Sequence, residues 1–207
     1  MKYLLPLLAL LFATAAVVAA PIDPLQQGWA VANYELEGDE QIAAFEQLIV
    51  DAQRSVAQYP DDAGVYIWQG IIQSTYAGTV GGLGALKWVK AARKSLEQAM
   101  EIDAMALQGS AYTSLGALYY QVPGWPIAFG SAKKAQELLE AALQINPDGI
   151  DPNYFYADFL VNQKEYDRAR LVLIKALAAD ARPGRELADN GRRNEIRQLL
   201  ARIDGES

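Results

Sequence analysis

The chain has 207 residues, of which 52% are hydrophobic and 21% charged, with a formal net charge of −7. That composition supplies a domain-sized core without metal or disulfide staples and excludes a disordered chain. The acidic balance argues against a broad nucleic-acid-binding surface. With no cysteine and no histidine, disulfides, thiol catalysis, Cys/His metal sites and nucleophile–histidine pairs are excluded as well.

Residues 1–21, "MKYLLPLLALLFATAAVVAAP", place Lys2 ahead of an uncharged apolar run from Tyr3 to Val18, followed by small residues. This is the order of a secretory leader. Pro6 and the short run argue against a permanent membrane span. A cut after Ala20 would put Pro21 at the scissile bond, so cleavage is expected after Ala19, with Val17 and Ala19 as the small residues read by the peptidase. The mature protein is then periplasmic or secreted, has no stable membrane span, and has no cysteine to carry a lipid anchor. Residues 20–38 form an N-terminal segment with no assigned element.

A helix is expected over 39–58, ending at "YPDDA", where Pro60 stops it and the Asp pair caps the next helix. Three units follow, at about 63–104, 108–147 and 150–181. Their second helices share a small–large–small pattern: Ala92, Leu96, Ala99; Ala135, Leu139, Ala142; Ala169, Leu173, Ala176. Offsets of four and three put each triplet on one helical face. Such a face cannot be buried by its own helix and needs a neighbouring hairpin on each side. The preceding first helices carry Tyr112, Leu115, Gly116 and Tyr119 in the second unit, Ala157 and Leu160 in the third, and Tyr66 and Gly70 in the degenerate first.

Two units depart from a short intra-hairpin turn. About ten extra residues lie between Gly70 and Ala92, within "TYAGTVGGLGALKW", and seven lie around "QVPGWPIAFGS". Both are expected as long loops on one edge, a placement that often marks a binding face. The first carries Tyr76 and Trp88. The second carries Trp125, Ile127 and Phe129 on a backbone stiffened by two prolines and two glycines. These aromatics either stand out as anchors for an apolar ligand or partner or tuck down to cover a widened gap. "GTVGGLGALK" lacks the Gly-Lys-Ser/Thr ending of a phosphate loop and reads as a tight turn before a helix near Ala85. The terminal segment, 186–207, puts Ile196, Leu199, Leu200 and Ile203 on one face. Its arginines 192, 193, 197 and 202 read as the solvated side of a cap.

The spacing large–x2–Leu–Gly–x2–Tyr, followed by Ala–x3–large–x2–Ala–x4–Pro through Ala135, Leu139, Ala142 and Pro147, resembles the tetratricopeptide (TPR) repeat across roughly residues 40–185. The resemblance implies an all-α solenoid of helical hairpins: about three repeats, a leading helix and a C-terminal capping helix. It also implies a concave groove faced by Ile67, Ile71 and Ser74, then Ser110, Thr113, Ala117 and Tyr120, then Asp151, Tyr154, Asp158 and Val161. That lining has two acids and no arginine or lysine, unlike the basic clamps with which some relatives hold acidic tails. The candidate contact residues are thus Tyr76, Trp88, Ser110, Thr113, Tyr120, Trp125, Ile127, Phe129, Tyr154 and Asp158.

No titratable pair stands out for catalysis, since Glu137/Glu140 and Asp39/Glu40 sit at exposed helical positions. No catalytic residue, cofactor or metal is therefore assigned. The expected function is a non-enzymatic scaffold whose partner is another exported or envelope protein, held through the groove and the loops. Residues 115–160 also resemble the T-component proteins of TRAP-type transporters, through "GWPIAFG" and "NPDGIDPNYFYA". That similarity implies an accessory role with a substrate-binding partner and a small apolar ligand.

Overall fold

Ala92, Ala135 and Ala169 are fully buried, as are Leu96, Leu139 and Leu173 beside them. The computed structural model describes residues 21–205, so the leader and its cleavage site lie outside the described residues. Among these residues the chain is helical throughout, in nine helices: α1 (Asp23–Tyr34), α2 (Gly38–Gln58), α3 (Ala63–Val80), α4 (Gly82–Asp103), α5 (Ala106–Gln121), α6 (Ala132–Ile145), α7 (Ile150–Asn162), α8 (Tyr166–Leu177) and α9 (Glu186–Asp204). None is long and apolar enough to cross a membrane.

Successive helices pair as hairpins, α1 with α2, α3 with α4, α5 with α6 and α7 with α8, and α9 closes the stack against α7 and α8. The interlock is steric. A Cβ added at Gly70 would sit 2.5 Å from Leu96 Cγ, and one at Gly116 would sit 2.6 Å from Leu139 Cγ. Each first helix thus receives the second helix's leucine where it has no side chain. In the third hairpin Ala157 and Leu173 share one fully buried cluster. Caps set the starts of two helices: the Asp62 carboxylate accepts from the Gly64 amide at 2.7 Å, and Ser131 Oγ accepts from the Lys134 amide at 3.3 Å.

Three expectations are corrected. Residues 20–38 contain a helix, α1, which buries Leu25, Trp29, Ala30 and Ala32. The first insertion is not a loop: α3 runs to Val80 and α4 begins at Gly82, leaving Gly81 alone between them. Gly81 turns the chain at φ 59° and ψ −171°, a region open essentially to glycine. The extra residues lengthen both helices because they carry a core of their own. Tyr76 and Trp88 meet edge to face at 5.2 Å, and the Tyr76 hydroxyl donates to Glu46 at 2.7 Å. The expected second loop does form, between α5 and α6. Its base is stapled by Gly130 N–H to Pro123 O at 2.9 Å and Ser131 N–H to Tyr119 O at 2.8 Å.

The third correction concerns the cap. Ile196, Leu199 and Ile203 are buried as expected, but so is Arg192. The α9 helix does more than cover α7 and α8, because it also packs against α1. Ala188 lies in the same buried cluster as Leu25 and Trp29, and a Cβ at Gly191 would come within 2.4 Å of the Tyr34 ring. The odd-numbered helices, each touching the next, therefore form a closed inner ring with the even ones outside.

Replacing Gly116 by Val should destabilise the fold by about 1–3 kcal/mol, because Leu139 has no room to retreat. Chemical denaturation followed by circular dichroism measures it, with a lowered midpoint and an unchanged slope expected.

Candidate functional site: the enclosed groove

Closing the ring turns the concave face into a cavity of about 1380 Å³. One wall is apolar, with Ile71 and Ala77 of α3, Leu86 and Val89 of α4, and Leu118 of α5. Another is charged and comes from the last loop and α9. Leu107 and Gln108, on the rim, enter α5 in left-handed backbone with Gly109, at φ 47°, 55° and 73°. For the two non-glycine residues that geometry costs about 1–2 kcal/mol each. Gln108 is held there by a 3.0 Å bond accepted from the Asn146 side chain.

The charged wall is a chain of carboxylates and guanidiniums. Asp151 accepts from Arg182 Nη1 at 2.6 Å and from Arg192 Nε at 2.9 Å. Buried Asp189 accepts from the Arg182 backbone amide at 2.8 Å and from its Nε at 2.7 Å, and Arg192 also bonds Glu195. Burial alone would raise the Asp151 pKa, but Arg192 and then Arg182 outweigh it and hold the carboxyl well below its ordinary range. Glu195 is pushed up, chiefly by burial. Arg192 also stacks on Tyr154, 4.3 Å from the ring centre.

Arg185 stands apart. Its guanidinium lies 5.1 Å over the Trp68 ring, and among the described residues it forms no ion pair. Its Nε and the Trp68 Nε1 are buried without an acceptor. Its pKa is lowered, first by burial and then by Arg182. The site therefore has three carboxylates committed to Arg182 and Arg192, and one guanidinium committed to none.

The structure divides the residues singled out from the sequence. Ser110, Thr113 and Ile127 line the cavity, as do Ala117, Ile71, Ser74 and Asp151. Tyr120 and Asp158 face away from it, joined by a 2.6 Å hydrogen bond. Burial, then Asp158, raises the Tyr120 pKa well above its ordinary value. Tyr154 backs Arg192 instead of lining the groove, and its own pKa is pushed up to about 12, mainly by burial. Tyr76 and Trp88 are packing residues inside helices. In the loop the two aromatics part company. Trp125 is 90% exposed, whereas Phe129 packs on Tyr119 at 5.3 Å and under Arg93 at 5.0 Å. The expectation of a groove without arginine fails, because α9 and the loop before it bring Arg182, Arg185 and Arg192 to its wall. Helix α1 contributes Trp29 and Tyr34, which sequence reasoning also missed.

Residues 127–203 match the tetratricopeptide-repeat family model. Comparison with curated proteins finds no match. Among solved structures, a thermophilic TPR protein of Thermus thermophilus superposes with a TM-score of 0.60 at 19% identity, covering 87% of this chain and 79% of that one. The fold is a TPR-type solenoid.

Replacing Asp151 by Asn should cost about 3 kcal/mol, since buried Arg192 and Arg182 lose their shared partner. Because the folded carboxyl titrates below the unfolded one, its contribution is complete above about pH 4 and is lost as pH falls through the depressed folded value. Denaturation midpoints across the acid range should show a steeper acid limb in the parent than in the Asn variant.

Proposed function

We propose that the protein is a non-enzymatic, exported scaffold that binds a partner segment inside the enclosed groove, with a carboxylate of that segment on Arg185. The observation that carries this reading is the half-buried Arg185 guanidinium, stacked on Trp68 at the cavity wall and lacking an anionic partner among the described residues. A buried guanidinium left alone is costly, and a bidentate carboxylate is its natural complement. The ligand's apolar part would lie against Ile71, Leu86, Val89 and Leu118, giving the mix of apolar wall and few polar fixings common to binding pockets. At about 1380 Å³ the cavity is larger than most small-molecule pockets and has room for a chain terminus or an acidic side chain together with its neighbours.

The leader-like order of residues 1–19 supports a periplasmic or secreted setting, with an exported or envelope protein as partner. The apolar wall also suits a second reading, a small apolar ligand held for a substrate-binding partner, as a T-component-like accessory would hold it.

Affinity capture from an exported fraction should recover a stoichiometric partner with the parent protein. Arg185→Gln should weaken that capture at least about tenfold, the value of one charge-assisted bond, while the thermal midpoint stays equal or rises. Native mass spectrometry showing a bound apolar molecule and no captured protein would replace the scaffold reading with the second one.

A further inference from the structure

The rim beside the cavity has a composition unlike the rest of the chain. Residues 82–96 and 122–136 contain Lys87, Lys90, Arg93, Lys94, Lys133 and Lys134: six of the chain's 18 basic residues and none of its 25 acidic ones. In a stack of hairpins the α3–α4 turn and the α5–α6 loop fall on the same edge, and here the loop meets the body of α4, with Phe129 under Arg93. Lys90, Arg93, Lys94 and the single carboxylate Glu97 border one shallow hollow with Pro126, Ile127 and Phe129. Leu83 is 88% exposed, Trp125 is 90% exposed and Ile127 is 61% exposed. Arg93 is engaged by Glu97 and Lys134 by Glu137, but Lys90, Lys94 and Lys133 form no ion pair among the described residues.

We infer that this edge docks peripherally on an anionic lipid bilayer, with Leu83, Trp125 and Ile127 entering the interface and the lysines resting on the headgroups. Three observations favour a bilayer over a protein surface. The cations are mainly lysines, which are depleted from protein interfaces but attract anionic lipid without needing fixed geometry. The apolar groups project singly from a turn and a helix end instead of forming one flat patch, so each can enter the headgroup layer separately. An exposed tryptophan on an edge that also carries lysines is a combination that settles at a membrane–water boundary. The charge complements the lipid although the chain as a whole carries −7, so attraction is local and orients the molecule with this edge down.

The test is co-sedimentation of the full chain with phosphatidylcholine vesicles, with and without about a quarter phosphatidylglycerol, at low salt and at about 0.5 M salt, where the Debye length is shorter than a lysine side chain. Trp29 and Trp68 are buried and Trp88 half-buried, so a blue shift of tryptophan emission reports Trp125. Expected are binding and a blue shift with the anionic vesicles only, both lost in high salt. Lys90→Gln/Lys94→Gln/Lys133→Gln should weaken binding at least about tenfold, and Trp125→Ser should abolish the blue shift. Arg185→Gln should leave vesicle binding unchanged, which separates this surface from the groove. Equal binding to neutral vesicles, no binding to either, or a blue shift that grows with protein concentration in the absence of lipid would each overturn the inference, the last in favour of self-association. So would loss of captured protein in the lysine variant without any vesicle binding.

Discussion

The architecture depends on one steric fit: a leucine from each second helix pressed onto a first-helix position that has little or no side chain. Leu96 over Gly70 and Leu139 over Gly116 approach so closely that a single added carbon would overlap them. Close approach brings two backbones within reach of dense packing, and dispersion rewards that density over many atom pairs. Small residues on the outer helix, Ala92, Ala135 and Ala169, leave room for the neighbouring hairpin in turn. Repeating this fit stacks the hairpins with a constant small rotation, and the curvature of the groove follows from it.

What the repeat does not supply is the closure. It comes from α9, whose apolar side covers the last hairpin while Ala188 and Gly191 meet the first helix. The same helix brings Arg192 to Asp151 of α7, so the ion pair that ties the C-terminus down also forms the charged wall of the cavity. Buried ion pairs are weak sources of net stability but severe penalties when broken. Their geometric demand here is useful: it sets the rotation of α9 and so fixes where Arg185 points.

The repeat units were readable because their signal is periodic and lies on buried faces, where local spacing and tertiary packing agree. The site was less readable, for reasons that can be traced to particular residues. Tyr76 and Trp88 fall in a glycine-rich stretch that reads as a loop, but edge-to-face packing and the Glu46 hydrogen bond give that stretch enough burial to remain helical. Arg192 sits on a segment with a polar majority, where an arginine is ordinarily solvated. Its burial depends on Asp151, 41 positions earlier, and no local pattern encodes that distance. Helix α1 was missed because it is short and its burial is completed by tertiary partners, first α2 and then Ala188 of α9 at the far end of the chain. One signal was available: Trp29 and Tyr34 are large aromatics in a segment otherwise assigned to nothing, and such residues seldom go uncovered.

An open superhelix of hairpins can lengthen by copying a unit, since each copy needs only its neighbours. This chain has given up that freedom. A further hairpin inserted anywhere between α2 and α9 would carry Gly191 away from Tyr34 and part the seam that makes the groove a chamber. The number of units is thereby set by circumference, as staves are by the hoop of a cask, and variation is confined to side chains on the inner wall and to the loop at its lip.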